Sequence, residues 1–451
     1  MINSKKRNRF KKRYAPKISI TFPVAIAPNF LGEGEDADKF SVDNIFEKPV
    51  LVTRAEGVLE LKENNKVARN FNVLWSKRVL NYKGLKYIPA FIRIKETDLN
   101  LLIDATFNTY KLNHELLQVV RDFMQYLAST KKTFDELDKQ NPSFDKQIDF
   151  IERNKKNIFK SLDKFSNAIW QKVRAMKTAE YNMHQRYLQF MIYHFFCSPS
   201  EIISHIYRKP FGYSGDFMMM NYIFDYHSYK YLGNSSYAKL MNNYACNIPV
   251  SCSNISRKDY LKKQIIEIAL KKADARILSV GCGSAREVTE LLESGAVLEG
   301  VKYSALDFED RALDFLRSKI NSIDPVKNNF SIQYFKYNIK ELIKNTDVLK
   351  HIGENDLIYL SGVLDYMTDE IAIKILKSLM EILPPKGRLI AFNISDENDG
   401  QRGFYEFFGG WYMYHRKKQD IENWVKNIES SHIKTNFTNC GNYWLLEVDK
   451  V

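Results

Sequence analysis

The chain has no CxxC pair, and its five cysteines (Cys197, Cys246, Cys252, Cys282 and Cys440) are scattered and odd in number. Neither a disulfide framework nor a zinc knuckle is expected from them, and a reducing cytoplasm is the expected compartment. Long apolar runs are also missing: the most apolar window, 187–197, contains Gln189 and His194 and follows Arg186, whereas a bilayer span takes about 20 nearly uninterrupted apolar residues. No spanning helix is expected, and the charged start of the chain, without an apolar h-region, predicts no secretory leader. HExxH and GxxxxGK(S/T) are absent and the eight histidines are dispersed, so zinc, flavin and nucleotide-triphosphate sites find no support. No internal repeat is evident.

What is present suffices for packed cores. In 451 residues, 45% are apolar and 13% aromatic, which excludes general disorder and predicts two or three domains. Bases outnumber acids by 39 to 25 over residues 1–250, while beyond residue 250 the count is 28 to 29, so the net charge of +13 is N-terminal. Eight bases (Lys5, Lys6, Arg7, Arg9, Lys11, Lys12, Arg13 and Lys17) and no acid fall in the first 17 residues. Such a run repels itself, so residues 1–17 read as a disordered basic tail, either attracted to nucleic acid or lipid headgroups or simply solvated.

Residues 18–110 read as a small β-containing segment, with strands at Val50–Thr53 and 86–94. Residues 111–255 have helical spacing: Leu116, Val119, Val120, Phe123 and Leu127 share one face, and Ile148, Ile151, Ile158, Leu162, Phe165 and Ile169 another, with Pro142 between them. From 256 to 451 short apolar runs at 276–281, 302–307, 331–336, 356–361 and 387–393 alternate with helix patterns at 285–294, 309–320, 339–350 and 368–383. This is the pattern of repeated βα units and a parallel sheet. Two last strands, 432–438 and 443–448, are joined too closely to be anything but antiparallel neighbours. The expected fold is therefore α/β, a Rossmann-like domain of five parallel strands plus a C-terminal antiparallel hairpin, preceded by a mostly helical domain. That hairpin is how class I methyltransferases depart from dinucleotide-binding domains, and it favours S-adenosylmethionine (SAM) as cofactor.

The run 277–287 passes from a buried strand through Gly281-Cys282-Gly283 into a helix. Two glycines let a ligand lie against bare main chain, and the helix start supplies free N–H groups. In a dinucleotide GxGxxG fingerprint the third glycine would fall at Arg286, which disfavours NAD. Asp307 ends the second strand, where a carboxylate can accept both ribose hydroxyls of an adenosine. Asn338, after the third strand, either bonds an adenine edge or caps the following helix. Ser361, with Gly362 after the fourth strand, would line the same crevice. Cys282 reads as a small packing residue, since nothing near it in sequence lowers its pKa.

These residues resemble a named family, the class I methyltransferases of 3-hydroxypalmitic acid methyl ester biosynthesis, makers of fatty-acid methyl ester signals. The likeness is carried by 281–287, similar to the family's GCGPA-x-E with Ser284 in place of proline, and by 360–366, LSGVLDY. It is carried most specifically by 208–224, RKPFGYSGDFMMMNYIF, similar to KPxGYxGDxxMMN. The stretch 410–416 is similar to a family W-x-(hydrophobic)-x-YR segment, with His415 intervening before Arg416. The resemblance spans roughly 180–451 and implies methyl transfer from SAM, with a carboxylate oxygen as acceptor.

A carboxylate acceptor is already deprotonated at neutral pH, so it needs only a cation or hydrogen-bond donor to orient it. Arg257, Arg416 and Lys209 are the candidates, and each is also readable as a surface charge. In the 208–224 segment, a lid over the glycine turn, Tyr213 is expected to wall the acceptor pocket and Asp216 to bind the methionine amine of SAM or to cap the next helix. Glu287 either engages that amine or stabilises the helix dipole. Asp365 and Tyr366 fall on the acceptor side or cap a helix. Met218, Met219 and Met220 with Phe217, Tyr222 and Phe224 offer a pliable apolar surface for an acyl chain, or a plain core.

The expected substrate is thus a small acidic or acyl molecule. Two other readings stay open at this point. One is an RNA or DNA methyltransferase docking through the basic region, although no (N/D)PP(Y/F) tetrapeptide is present and only Phe10 and Tyr14 interleave the tail. The other is a non-catalytic SAM-binding interaction module.

Overall fold

The computed structural model describes residues 112–226, 231–296, 298–323, 330–397, 399–430, 432–439 and 441–451, and the backbone of seven strands before residue 112. The basic tail and Cys440 lie outside the described residues. The chain divides into two compact units, one of residues 1–130 and 172–198, the other of residues 131–171 and 199–451.

The first unit contains β1 (Ile20–Ile26), β2 (Lys39–Val42), β3 (Val50–Thr53), β4 (Val58–Glu63), β5 (Lys66–Trp75), β6 (Leu80–Tyr82) and β7 (Leu85–Ile94). They pair antiparallel in the order β1-β7-β5-β4-β3-β2, with β6 also on β7. Most of these strands escape the alternation test because polar residues interrupt it, as Arg69, Asn70 and Asn72 do in β5. Three long helices follow, α1 (His114–Asp138), α2 (Phe144–Val173) and α3 (Thr178–Ile192). On α1 the expected stripe is buried at Leu116, Val120, Phe123 and Leu127. His184 of α3 is also buried and fully occupied: Nε2 accepts from the Asn113 N–H (2.7 Å) and Nδ1 donates to the Glu180 carbonyl (2.8 Å).

In the second unit, α4 (Glu201–Arg208), α5 (Phe217–Phe224), α6 (Ser236–Asn247) and α7 (Pro249–Lys271) precede the large sheet. The middle of α2 belongs to this unit for a physical reason. Ser166 Oγ donates to the Gly400 carbonyl (2.9 Å), Trp170 Nε1 to Asp399 (2.8 Å) and Gln401 to Asp163 (2.8 Å). These bonds join residues more than 200 positions apart in the chain.

The sheet strands are β8 (Arg276–Val280), β9 (Lys302–Asp307), β10 (Ser331–Lys336), β11 (Leu357–Leu360), β12 (Arg388–Ile394), β13 (His432–Phe437) and β14 (Tyr443–Asp449). Their order is β10-β9-β8-β11-β12-β14-β13, parallel except for β14, which runs antiparallel between β12 and β13. This is the Rossmann-like α/β fold of class I methyltransferases. Between the strands run α8 (Arg286–Glu293), α9 (Asp310–Ser322), α10 (Glu341–Lys344), α11 (Thr346–Ile352), α12 (Asp369–Glu381) and α13 (Lys418–Val425). The single helix expected over 339–350 is two, broken where Asn345 leaves the helical conformation and its side chain accepts from the Asp347 N–H.

One core cluster joins Leu278, Val280, Ile358 and Leu360 of the strands to Ile375, Leu376 and Leu379 of α12 and Trp424 of α13. Each fully buried aliphatic side chain there contributes about 1.5–3 kcal/mol. The chain steps from β8 outward to β9 and β10, then crosses back to β11 on the other side. That reversal leaves a crevice at the carboxyl ends of β8, β9 and β11, where ligands of open α/β sheets bind.

Candidate functional site

A cavity of about 560 Å³ occupies this crevice, within the range of small-ligand sites. Its floor is the glycine turn. The N–H groups of Gly281 and Cys282 both donate to the Leu306 carbonyl (2.8 and 3.0 Å), and that of Gly283 donates to Asp307 Oδ2 (2.8 Å). Gly281 has φ +68°, and a Cβ there would stand 2.4 Å from Val363 Cγ2, so no side chain fits. The other oxygen of Asp307 accepts from the Glu309 N–H (3.0 Å). Burial raises the Asp307 pKa while main-chain donors at Glu309, Gly283 and Phe308 pull it back, and the residue lines the cavity. The Cys282 thiol is pushed up by burial and by Asp307 and Glu287, the opposite of an activated nucleophile.

Glu287, in the first turn of α8, also lines the cavity. Tyr359 Oη donates to its Oε1 (2.6 Å), Tyr303 Oη reaches the same oxygen (3.4 Å), and the two phenols are 2.7 Å apart. Burial raises the Glu287 pKa and the phenols lower it. Nothing in the sequence reading singled out this tyrosine pair. The available signal was a tyrosine inside each of two otherwise apolar buried strands, whose hydroxyl must find a partner.

The opposite wall comes from three stretches distant in sequence. Tyr213, Ser214 and Gly215 lie between α4 and α5, and Phe217, Met220 and Phe224 form one face of α5. The turn after β11 contributes Gly362 to Met367, and the loop after β12 contributes Gly410 to Met413. Trp411 Nε1 donates to Tyr366 Oη (2.7 Å), and a Cβ on Gly215 would lie 2.6 Å from that oxygen and 2.8 Å from the Trp411 ring. Burial raises the Tyr213 pKa, and the neighbouring carboxylates of Asp307, Asp216 and Glu309 push in the same direction, so it stays a neutral phenol.

Arg257, on α7, is 3% exposed and lines the cavity. Its Nη2 donates to Asn254 Oδ1, and its guanidinium lies over the Tyr443 ring at 3.9 Å. Nη1 is 3.9 Å from Asp365, beyond hydrogen-bond reach, and Nε and Nη1 have no hydrogen-bond partner. Asp365 accepts from the Ile394 N–H (2.6 Å), and its pKa is raised by burial against the pull of Arg257. Ser284 Oγ is also buried on the cavity wall without a partner. Neither Asn254 nor Tyr443 carries a recognisable sequence signal.

Three expected site residues stand apart from the cavity lining. Arg416 is a brace: Nε donates to Asp369 (2.8 Å), Nη1 to the Leu364 carbonyl (3.1 Å) and Asn393 Oδ1 (2.7 Å), and Nη2 to the Met367 carbonyl. Each of its three guanidinium nitrogens is thus already hydrogen-bonded within the protein. Asp216 caps α5, its Oδ1 accepting from the Met219 N–H (2.9 Å), and it pairs with His205 Nε2 (2.8 Å). Lys209 donates to the Gly409 carbonyl (2.8 Å). Asn338 and Ser361 do line the cavity; Asn338 Oδ1 accepts from the Lys340 N–H (3.0 Å) in the turn ahead of α10, whose N-cap is Lys340, so Asn338 does not cap that helix.

Among the described residues no group of three His, Cys, Asp or Glu is arranged to hold a metal, and no helix is long and apolar enough to cross a membrane.

No family model matches the chain, and no curated protein matches it. Among solved structures, similarity is found to a possible exported protein from Bordetella parapertussis (11% identity, 66% of this chain and 96% of that one, TM-score 0.43). It is also found to magnesium protoporphyrin IX methyltransferase from Synechocystis PCC 6803 with bound S-adenosylhomocysteine (15% identity, 45% and 87%, TM-score 0.33). A third is an O-methyltransferase family protein from Burkholderia thailandensis (12% identity, 46% and 60%, TM-score 0.34).

Proposed function

We propose that the chain binds SAM in this cavity and transfers its methyl group to an oxygen of a small carboxylate or fatty-acyl acceptor. The observation that carries the reading is the bare main-chain turn from Gly281 to Gly283, whose Gly283 N–H donates to the buried Asp307, at the reversal point of the sheet and open to a cavity of nucleoside-ligand size. The residues present suit the cofactor. Asp307 retains acceptor capacity for ribose hydroxyls, Asn338 and Ser361 edge the crevice, and Glu287 is a carboxylate available to an amine.

Bound there, SAM supplies a methyl carbon made electrophilic by its sulfonium. The protein then has to align a nucleophile behind that carbon and exclude water. Arg257 has two buried nitrogens, Nε and Nη1, with no hydrogen-bond partner, donors that a carboxylate could take up, and leaving them unfilled costs about 1–3 kcal/mol or more. A carboxylate so held needs no general base. Phe217, Met220 and Phe224 give an apolar wall for an acyl chain, and the Trp411–Tyr366 pair closes the same side.

Calorimetric titration with S-adenosylhomocysteine, on wild type and Asp307→Ala, tests the reading. Micromolar binding lost in the variant is the expected result. No binding to the folded wild-type protein overturns it.

A further inference from the structure

Arg257 and Asp365 are both buried and both line the cavity, yet they are not hydrogen-bonded to each other. Nη1 of the arginine lies 3.9 Å from Asp365 Oδ2, close enough for charge attraction and too far for a hydrogen bond. The arginine's other contacts among the described residues are uncharged. Asn254 accepts from Nη2, and the ring centroids of Tyr443 and Phe392 stand 3.9 and 5.8 Å from Cζ.

Asp365 is fixed from the far side by the Ile394 N–H, which donates to Oδ1 (2.6 Å). The titratable groups facing it are Arg257 from α7, Tyr366 next in the chain, Tyr443 from β14 and Arg416 from the stretch ahead of α13. Burial keeps both phenols neutral. Arg416 is tied to Asp369 and to main-chain carbonyls, which leaves Arg257 as the cation that faces Asp365. One buried guanidinium balances one buried carboxylate. A second carboxylate bonded to Nη1 would stand beside Asp365, and like charges that close in a buried site do not both stay ionised. Burial already raises the Asp365 pKa, against the pull of Arg257 and the Ile394 N–H.

We infer that Asp365 stands in for the acceptor's carboxylate: it faces Arg257 as the anion while the pocket is empty or holds the ester, and it takes up a proton when an acceptor carboxylate binds Arg257. This rests on the proposed methyl transfer to a carboxylate and deepens it, because Asp365 becomes the specificity-determining residue that separates substrate acid from product ester. The exchange balances. As the acid binds, a solvent proton forms an O–H bond at Asp365. In the transfer a lone pair of the acceptor oxygen forms the O–CH3 bond, and the electron pair of the broken C–S bond stays on the sulfur of the cofactor. The ester is neutral, so Asp365 returns its proton to solvent and faces Arg257 as an anion again.

The experiment is calorimetric titration of the full chain, saturated with S-adenosylhomocysteine, with octanoate and with methyl octanoate from about pH 6 to about pH 8.5, where octanoate itself is ionised throughout. The expected octanoate affinity falls as pH rises, by up to about ten-fold per pH unit, with up to one proton taken up per ligand when counted in two buffers of different ionisation enthalpy. Methyl octanoate affinity is expected to be independent of pH. Asp365→Asn, which keeps an acceptor for the Ile394 N–H, removes the pH dependence and binds octanoate about ten-fold or more tightly than wild type at the alkaline end, a gain that a purely structural role would not produce. Octanoate affinity that is flat across the range, a pH slope shared by acid and ester, or weaker octanoate binding by Asp365→Asn overturns the inference and leaves the carboxylate reading standing. Failure of octanoate to bind at any pH, with S-adenosylhomocysteine bound, overturns the carboxylate reading and this inference with it, and leaves the cofactor reading standing. The octanoate titration on wild type needs no variant to fold.

Discussion

The two sides of the cavity are built by different means. The side proposed for the cofactor is main chain and carboxylates at the ends of consecutive parallel strands: the turn after β8, Asp307 at the end of β9, Asn338 after β10 and Ser361 after β11. The side proposed for the acceptor is side chains converging from α5, α7, the 362–367 turn, the 410–413 loop and β14. A wall made of backbone tolerates no added atoms but depends little on which side chains surround it. A wall made of converging side chains can be retuned one residue at a time. Substitutions on the cofactor side should therefore act on binding as a whole, and those on the acceptor side should act on the acceptor alone.

The sharpest test sets two glycines against each other. Gly281→Val drives a branched side chain into Val363 at a backbone angle that disfavours it, and S-adenosylhomocysteine affinity is expected to fall on the order of a thousand-fold, about 4 kcal/mol. Gly215→Ala meets Tyr366 and Trp411 instead, and should leave that affinity within about three-fold while raising the acceptor KM roughly ten-fold or more. Equal losses of cofactor affinity in the two variants would erase the distinction between the two walls.

The next contrast is between two buried arginines that the sequence offers as equivalent. Every guanidinium nitrogen of Arg416 is hydrogen-bonded, so Arg416→Ala strands the Leu364 and Met367 carbonyls and Asn393, and is expected to cost about 3–5 kcal/mol in urea unfolding. Arg257 already has two unpartnered donors, so Arg257→Ala is expected to cost less stability. Its loss should appear instead in kcat/KM for a carboxylate acceptor, by about a hundred-fold. A larger stability loss at Arg257 than at Arg416 would reverse the assignment of brace and anchor.

That pair also explains what was legible beforehand. The cofactor side follows from local pattern, because each strand delivers its ligand-facing residue within a few positions of its own end. Apolar runs, a glycine pair and a terminal acid suffice to place Gly281, Gly283 and Asp307 in the crevice. The acceptor side depends on which of many charges is buried, and against what. No spacing distinguishes Arg257 from Arg416 until Asn254 and Tyr443 are known to flank the first, and Asp369, Asn393 and two carbonyls the second. Asp216 is similar: its place in the 208–224 segment is compatible with ligand binding and with a helix cap, and the Met219 N–H decides between them by geometry alone. The tyrosine pair beneath Glu287 escaped because two residues 56 positions apart meet only through the strand order β9-β8-β11.

The two sides should also answer acid in opposite directions. Glu287 and Asp307 have raised pKa values, so the native state holds their protons more tightly than the unfolded chain does, and their contribution to stability is full at low pH and lost as pH rises through the native values. His415, behind the acceptor wall, is the reverse. Burial and the charge of Arg402 depress its pKa from 6.5 to about 4, while Nδ1 donates to the Ser395 carbonyl (2.9 Å) and the ring stacks on Tyr405. The unfolded chain therefore binds a proton that the folded chain refuses. The stability due to neutral His415 is complete above pH 6.5 and is lost as pH falls toward about 4, a loss of about 3 kcal/mol on the scale of 1.36 kcal/mol per pKa unit. Urea midpoints of wild type and His415→Gln between pH 7 and pH 4 measure it: the wild-type curve should fall more steeply than the variant's in that window. Parallel curves would show that His415 protonates as readily in the native state as in the unfolded one, and that the acceptor wall has no acid sensitivity of its own.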